Sequence, residues 1–332
     1  MRIIITLISF FIIYSSFCQD VHWSQINSNP IYQNPANSGD IDADYRFVFN
    51  LKDQWRKVTK PYESTSISFD YKYKYIQKIG IGGIFIADKT GDGVFKTFEF
   101  RIVPSYQILK IKASQTLRIG IDFGINNRQM TFNNYMYNNQ FDGLIFNENI
   151  PNNESYTNSS KSNFILGVGM TYKNQINHSN SITSGIAIYN LNQPSQSFYS
   201  TDVPRSRRYH LFTNLNNVIN HKYILIPSIN FEFQNSYKEL LLGIKIKYKS
   251  KIEYLKKYSF NSGVYFRNKD AIIGLFGIDF KNHFFSGLSY DINISQLTKA
   301  SNGRGGIEFS LIYILKNKNI RTLKNVKCIE YM

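Results

Sequence analysis

The sequence predicts an all-β protein, a transmembrane antiparallel β-barrel of about 14 strands that follows a cleaved signal peptide. Three observations support this fold class. The chain opens with an apolar leader, and runs of about ten residues with alternating hydrophobicity recur after it. No stretch beyond the leader is apolar enough for a transmembrane helix. Together these features indicate an exported protein that crosses a membrane with strands.

Residues 1–18 have the layout of a signal peptide. A short basic start precedes an almost uncharged run over residues 3–14, and small side chains favour cleavage between Cys18 and Gln19. Acylation of Cys18, as in a lipoprotein, is the alternative, although Phe17 fits poorly the small residue that such processing requires. After cleavage Cys328 would remain alone, which excludes an intramolecular disulfide.

Three regions follow the leader. Residues 19–43 are rich in Asn, Ser and Pro and lack strand periodicity, so we predict an extended N-terminal segment. Sustained alternation over residues 44–315 predicts the barrel, and residues 316–332 form a basic tail. The candidate strands are 44–55, 64–74, 80–88, 94–108, 116–126, 163–173, 181–190, 206–214, 223–234, 239–249, 258–267, 271–280, 283–294 and 305–315.

The connections between these strands support a barrel. The three longest, 127–162, 191–205 and 295–304, fall on the same side of the sheet, which is the external side if the first strand runs outward. Glycines within the strands favour a crowded lumen or a strand that bends to close a cylinder. Tyrosines near the strand ends favour aromatic girdles. A soluble secreted β-sandwich, or a pair of them, is the alternative architecture.

The formal net charge is +16, which indicates an anionic partner. Nucleic acid is not expected as a partner of an exported chain. Lysines cluster at predicted turns, which favours anionic lipid head groups or an acidic protein. A solvated rim that blunts aggregation is the other interpretation.

The sequence offers little support for chemistry. Its five histidines have no metal-ligand spacing, and we predict no metal, no cofactor and no enzymatic activity. The segment 88–93 resembles a calcium loop only superficially, so a turn is favoured. An outer-membrane hydrolase would need His210 or His283 beside a serine and a carboxylate or amide on adjacent strands.

The chain contains seven short motifs, at residues 19–25, 29–36, 53–55, 87–91, 190–198, 287–295 and 304–308. Together these motifs resemble the PorP/SprF family of type IX secretion proteins. The resemblance implies a non-enzymatic outer-membrane barrel that helps deliver cargo to the cell surface and holds it there. Such cargo is often a large adhesin with a C-terminal sorting domain, other secretion-system subunits take part, and gliding motility is one associated process. The tail departs from the family, which often has a Cys-Pro pair where Cys328 precedes Ile329.

We predict partner-binding residues in the N-terminal segment, in the two longest loops and near the end of the chain. Tyr290, Asp291 and Arg304, near the end of the chain, have an alternative interpretation. Tyr290 would be a girdle tyrosine, and Asp291 and Arg304 would form a charge pair in the lumen that fixes strand register. A channel is the competing function, since a cylinder of this size can leave an open lumen. The predicted residues are His22, Trp23, Asn29, Pro30, Asn34, Pro35, Phe132, Tyr135, Tyr137, Phe198, Tyr290, Asp291 and Arg304.

Overall fold

The computed structural model describes most of residues 20–316. Three of the predicted features lie outside the described residues. They are the cleavage site between Cys18 and Gln19, the loop residue Phe132, and the tail beyond residue 316, which includes Cys328. The gaps within the described range are 57–59, 74–75, 77, 92–94, 112–113, 132–134, 148, 152–158, 178, 200–201, 251, 253–254, 256, 282 and 297.

Fourteen antiparallel strands close into one barrel, which confirms the predicted fold class. Each strand pairs with its neighbours in the chain, and β1 pairs with β14 to close the cylinder, with Tyr45 opposite Leu315. The strands are β1 (Tyr45–Gln54), β2 (Tyr62–Lys72), β3 (Ile79–Thr90), β4 (Phe95–Ile111), β5 (Gln115–Gln129), β6 (Ser160–Gln175), β7 (Asn180–Tyr189), β8 (Arg208–Val218), β9 (Tyr223–Gln234), β10 (Tyr237–Lys249), β11 (Tyr258–Arg267), β12 (Ala271–Phe280), β13 (Phe284–Asn293) and β14 (Arg304–Leu315).

The two rims of the barrel differ in the length of their connections. The short-turn rim holds Tyr45, Leu315 and the six connections that follow even-numbered strands from β2 to β12, the longest of which covers residues 250–257. The long-loop rim holds the connections over residues 130–159, 190–207 and 294–303. The three longest predicted connections therefore do lie at one rim.

Alternation along each strand separates an apolar outer wall from a polar lumen. In β1, Phe47 faces outward, whereas Asn50 and Lys52 are buried inside the barrel. Aromatic pairs cover the outer wall near the short-turn rim, including Tyr45 with Tyr71 at 4.9 Å between ring centroids. Such pairs are typical of the belts that lie at a membrane–water interface.

The N-terminal segment fills the lumen, and residues 20–41 are called the plug below. Rather than running extended, as the sequence predicted for 19–43, it forms a helix, α1 (Pro30–Gln33), between two 3₁₀ turns, Ile26–Ser28 and Pro35–Asn37. Proline favours the first turn of a helix because its fixed φ suits that position and its missing N–H is not needed there. A second short helix, α2 (Thr298–Ser301), lies in the last long loop.

The apolar core of the protein lies where the plug meets the wall of the lumen. Trp23 and Ile31 are each 1% exposed and belong to one buried cluster with Ile84, Val103 and Ile273 of the strands. Burial of each large apolar side chain contributes about 1.5–3 kcal/mol. The plug is therefore part of the folded core and not a loosely held arm.

Two strand glycines make room for the plug backbone. A Cβ atom on Gly120 would lie 2.3 Å from the carbonyl carbon of Pro35, and one on Gly80 would lie 2.2 Å from the carbonyl oxygen of Ser38. Neither position has space for a side chain. The sequence prediction that strand glycines indicate a crowded lumen is thus confirmed at these positions. Among the residues described, no helix is long and apolar enough to cross a membrane.

Candidate functional site at the long-loop rim

The upper end of the plug is anchored at the long-loop rim through Asp20. Both its carboxylate oxygens are used: Arg205 donates to Oδ1 at 2.7 Å, and Asn190 donates to Oδ2 at 3.1 Å. Gln234 accepts from the Asp20 backbone N–H at 2.8 Å. Because Arg205 and Asn190 belong to the loop after β7, these bonds tie the plug to that loop.

Arg205 also joins the plug to a chain of charges along the lumen wall. Its Nη1 lies 2.7 Å from Oε1 of Glu99, which is also bonded to Arg101. Arg101 in turn lies 2.9 Å from Asp122. The side chains of this network are buried, and loss of one member of a buried ion pair typically costs about 3–5 kcal/mol. The charges therefore fix the plug, the loop and two strands, β4 and β5, in one arrangement.

Arg208 forms a second contact between the wall and the plug. Its guanidinium carbon lies 4.3 Å from the ring centroids of both Tyr32 and Tyr189, and a nitrogen lies 3.3 Å from Glu232. The Tyr189 hydroxyl donates to the Tyr32 backbone carbonyl at 2.7 Å. Cation–π contacts of this kind are strongest where water is excluded.

Glu308 holds the plug on the opposite side of the lumen. Its two carboxylate oxygens accept from the backbone N–H groups of Ser24 at 2.7 Å and Gln25 at 2.9 Å. The Ser24 hydroxyl donates to Asp291 at 2.7 Å, and Arg267 lies 3.0 Å from the same oxygen of Asp291. A carboxylate that accepts from backbone amides satisfies donors that would otherwise be buried without partners.

The lower end of the plug is fixed near the short-turn rim. Asn34 donates to the carbonyl oxygens of Met170 at 3.2 Å and Ile186 at 2.9 Å. Asp70 accepts from the Gly39 backbone N–H at 2.7 Å and pairs with Arg46. The plug is thus held along its whole length.

Burial and neighbouring charge set the protonation of the plug. Burial acts to raise the pKa of Asp20, but the guanidinium groups of Arg205 and Arg208 outweigh it and hold that pKa below its usual range. Burial lowers the pKa of His22 well below its usual range, with a further contribution from Lys52. At neutral pH, Asp20 is therefore an anion and His22 is uncharged.

Above the plug lies a cavity of about 490 Å³, called the vestibule below. Asp20, Val21, His22 and Tyr32 form its floor. Its wall includes two aromatic side chains in edge-to-face contact, Trp55 and Tyr62, with ring centroids 4.8 Å apart. The remaining wall residues are Gln54, Ser64, Ile86, Asp88, Thr90, Phe95, Thr97, Glu99, Arg101, Asn126, Arg128, Gln196 and Arg205.

The wall of the vestibule carries both signs of charge. Arg128 lies with its guanidinium carbon 4.5 Å from the ring centroid of Phe95, so the cation covers an aromatic face. Asp88 accepts from the hydroxyl groups of Ser64 at 2.5 Å and Thr90 at 2.8 Å. Hydroxyl groups are thus the donors to this carboxylate. Among the described residues, no cation lies within 4.0 Å of it. The vestibule is thus polar, partly aromatic and built from side chains fixed by their own contacts.

The structure places the predicted N-terminal partner-binding residues inside the lumen. Trp23 packs edge-to-face on Tyr32, and Asn29 donates to Ser66 at 2.7 Å. His22 reaches the floor of the vestibule. The other predicted residues of this segment are Pro30 and Pro35, which begin helical turns, and Asn34, which bonds to the wall.

The predicted loop residues lie at the long-loop rim. Tyr135 and Tyr137 are half-buried, and Tyr137 precedes a 3₁₀ turn over Asn138–Gln140. Phe198 is buried and makes an edge-to-face contact with Phe95, 6.2 Å between centroids. Phe198 therefore supports the vestibule wall from behind.

Tyr290, Asp291 and Arg304 do not form one surface. Tyr290 faces outward from β13, Asp291 is 2% exposed inside the lumen, and Arg304 is exposed at the rim. The position of Tyr290 fits a girdle tyrosine. The lumen partner of Asp291 is Arg267, not Arg304.

Sequence reasoning did not single out the residues that hold the plug, namely Asp20, Glu99, Arg205, Arg208 and Glu308. A signal was present, because charged side chains such as Glu99 and Arg101 alternate on the polar face of a predicted barrel strand. Ionisable groups on such a face indicate paired charges in the lumen.

The candidates for chemistry are accounted for in other ways. His210 lies in the lumen, where its Nδ1 is 2.8 Å from the carbonyl oxygen of Gln33 in the plug, and His283 lies at the short-turn rim. His210 and His283 therefore do not belong to one site. Within the described ranges, no group of three His, Cys, Asp or Glu side chains could hold a metal ion.

A family model described as type IX secretion system membrane protein PorP/SprF matches residues 15–313. Comparison with curated proteins finds no match. Among solved structures, the toluene transporter TbuX of Ralstonia pickettii is 11% identical, with a TM-score of 0.51 over 87% of this chain and 93% of that one. A FadL homologue of Pseudomonas aeruginosa is also 11% identical, with a TM-score of 0.50 over 86% and 94%. At this level of sequence identity, the two comparisons support a shared fold and nothing about function.

Proposed function

This chain belongs to the PorP/SprF family of type IX secretion system membrane proteins, and we propose that it is an outer-membrane receptor that binds secreted cargo at its long-loop rim. One observation carries the proposal: the plug fills the lumen and leaves a structured vestibule open at that rim. A barrel arranged in this way is suited to hold a partner rather than to pass solutes.

The long-loop rim is the external rim in this proposal. Outer-membrane barrels place short turns in the periplasm and long loops outside the cell. By this rule residues 130–159 and 190–207 reach the cell surface. The floor of the vestibule, with Asp20 and His22, then faces outward as well.

Exposed apolar side chains at this rim support a protein partner. In the loop after β5, Leu144 is 90% exposed, Met136 is 77% exposed and Ile145 is 69% exposed. These residues lie beyond the ends of the strands, so the membrane does not cover them. Exposed apolar groups outside a lipid belt often mark a protein interaction site.

The vestibule offers a more specific contact. Trp55 and Tyr62 present aromatic rings, and Asp88 presents a carboxylate surrounded by hydroxyl donors. Four of the stretches that resemble the family meet around this cavity through His22, Trp55, Asp88 and Gln196. We infer that an extended segment of the partner, with a basic or aromatic side chain, enters here.

The cargo in this proposal is a secreted protein with a C-terminal sorting domain, such as a cell-surface adhesin. The barrel would support its secretion or keep it at the surface, together with other subunits of the secretion system, and gliding motility would depend on it where adhesins drive movement. The family and the solved neighbours are secretion and transport barrels and not enzymes, so the proposal contains no catalytic step.

An affinity pull-down from detergent-solubilised outer membranes tests the proposal. Tagged wild-type protein should recover a large surface protein or secretion subunits, identified by mass spectrometry. Leu144→Ser with Ile145→Ser should reduce that recovery at least fivefold. The matched control is Ile176→Ser with Ile219→Ser, which changes side chains 59% and 60% exposed at the opposite rim. Equal recovery by both double variants and the wild type would contradict the proposed surface.

A channel for small solutes is the second candidate function. The fold likeness to TbuX, a toluene transporter, favours it. A lateral or central path past the plug would then have to exist. Uptake of an aromatic hydrocarbon by proteoliposomes that contain the barrel, above that of empty vesicles, would favour this candidate over cargo binding.

A further inference from the structure

The short-turn rim carries lysine around its whole circumference. Each of the six connections at this rim has a described lysine within it or in the last residues of a flanking strand, and another follows β14. Most of these side chains are exposed. They are Lys72, Lys78, Lys110, Lys173, Lys222, Lys249, Lys257, Lys281 and Lys316, called the lysine ring below.

Among the described residues, no carboxylate lies within 4.0 Å of any ammonium group of the lysine ring. The lysines that do have a protein partner use neutral groups, as Lys72 donates to the carbonyl oxygen of Ile41 at 3.1 Å. Long-loop rim lysines such as Lys89 and Lys269 likewise have no carboxylate within 4.0 Å among the described residues. What sets the lysine ring apart is its distribution around the whole circumference of one rim.

A belt of outward tyrosines lies directly beside the lysine ring. Tyr45 stacks with Tyr71, and Tyr223 contacts Tyr248 with 5.3 Å between ring centroids. Amphipathic rings of this kind settle at the level of lipid head groups. Lysine side chains extend from the same level and place their ammonium groups among the phosphates. The tyrosine belt thus fixes the depth of the lysine ring.

We propose that the lysine ring binds anionic phospholipid in the periplasmic leaflet of the outer membrane. The circumferential arrangement favours lipid over an acidic protein, because lipid surrounds a barrel on every side whereas a protein partner covers one sector. The charge and the depth of the ring also match a phosphate layer. The inference does not depend on cargo binding, which concerns the opposite rim.

Native mass spectrometry of the purified barrel, equilibrated with equal amounts of phosphatidylglycerol and phosphatidylcholine, tests the inference. Wild-type protein should retain phosphatidylglycerol in preference to phosphatidylcholine. The ring variant Lys78→Gln, Lys110→Gln, Lys222→Gln and Lys281→Gln should lose at least fivefold of this preference. The control variant Lys89→Gln, Lys238→Gln, Lys269→Gln and Lys299→Gln removes the same charge at the long-loop rim and should keep it.

Both variants should migrate as folded barrels in unheated gel samples, which separates lost binding from lost folding. Equal phosphatidylglycerol preference in the wild type and the ring variant would overturn the inference. Equal loss in the ring and control variants would also overturn it, because binding would then follow net charge and not position. Loss of an acidic periplasmic protein from pull-downs of the ring variant, with lipid preference unchanged, would assign the ring to that protein instead.

Discussion

Replacement of Glu308 by alanine should release the upper half of the plug. Glu308 is 0% exposed and accepts from the backbone N–H groups of Ser24 and Gln25 with its two carboxylate oxygens. Alanine has no acceptor and leaves a space that the neighbouring strands cannot fill. The two N–H groups would then remain buried without partners unless this part of the plug moves away from the wall.

The expected cost follows from these two hydrogen bonds. A buried donor left without a partner costs about 1–3 kcal/mol, so leaving both N–H groups unsatisfied costs roughly 2–6 kcal/mol. Each 1.36 kcal/mol is a factor of ten in an equilibrium constant. The population in which Ser24 and Gln25 are detached should therefore rise about 30- to 10⁴-fold.

Hydrogen–deuterium exchange of the folded barrel in detergent measures this population. The amides of Ser24 and Gln25 should exchange faster in Glu308→Ala by the same factor, because exchange of a protected amide reports local opening. Glu308→Gln keeps one acceptor oxygen and should fall between the alanine variant and the wild type. Glu63→Ala removes a carboxylate that lies 3.3 Å from Arg56 at the surface, and it should leave both amides protected.

Exchange in Glu308→Ala within twofold of the wild type would refute the reasoning. The two amides would then be held by contacts other than the carboxylate. Faster exchange confined to amides of the barrel strands would also contradict the reasoning, because the carboxylate would then stabilise the wall and not the plug.

Two further changes test other parts of the plug. Gly120→Ala should lower the stability of the plug by about 1–3 kcal/mol, because the new methyl group would lie 2.3 Å from the carbonyl carbon of Pro35. Gly274→Ala, where nothing lies within 4 Å of the new atom, should have little effect on thermal unfolding, and equal loss in both variants would contradict a plug-specific clash. Because the pKa of Asp20 is depressed in the folded protein, its carboxylate contributes to the stability of the fold. This contribution is fully present above the ordinary pKa of about 4, and it is lost as the pH falls through the lower pKa of the folded protein. Tryptophan fluorescence between pH 7 and pH 2 should therefore show an acid transition that Asp20→Asn lacks, and an unchanged transition in that variant would assign it to other carboxylates.

The strands could be predicted from the sequence because their signal is local. Alternation over 223–234, 258–267 and 271–280 gives the bounds of β9, β11 and β12 as the structure has them. An outward apolar residue and an inward polar residue are each favourable wherever the strand lies in the sheet. No knowledge of the partner strand is needed for this prediction.

The plug could not be predicted because its contacts are remote in the chain. Ser24 bonds to Glu308, 284 residues away, and Asp20 bonds to Gln234, 214 residues away. A segment rich in Asn, Ser and Pro has no periodicity of its own that would reveal such partners. The same reason explains Asp291, whose partner Arg267 lies two strands away on β11, a position that sequence spacing does not reveal.

Ion conductance of the intact barrel in planar lipid bilayers tests most directly the claim that the plug closes the lumen of a cargo receptor. The purified wild-type protein should insert without opening stable pores, because the plug is bonded to the wall from Asp20 to Gly39. Conductance should require release of the plug from the wall, so Glu308→Ala, which frees its upper half, should show more channel openings than the wild type. Stable, ohmic pores of porin size in the wild-type protein would contradict a closed lumen and would favour the channel.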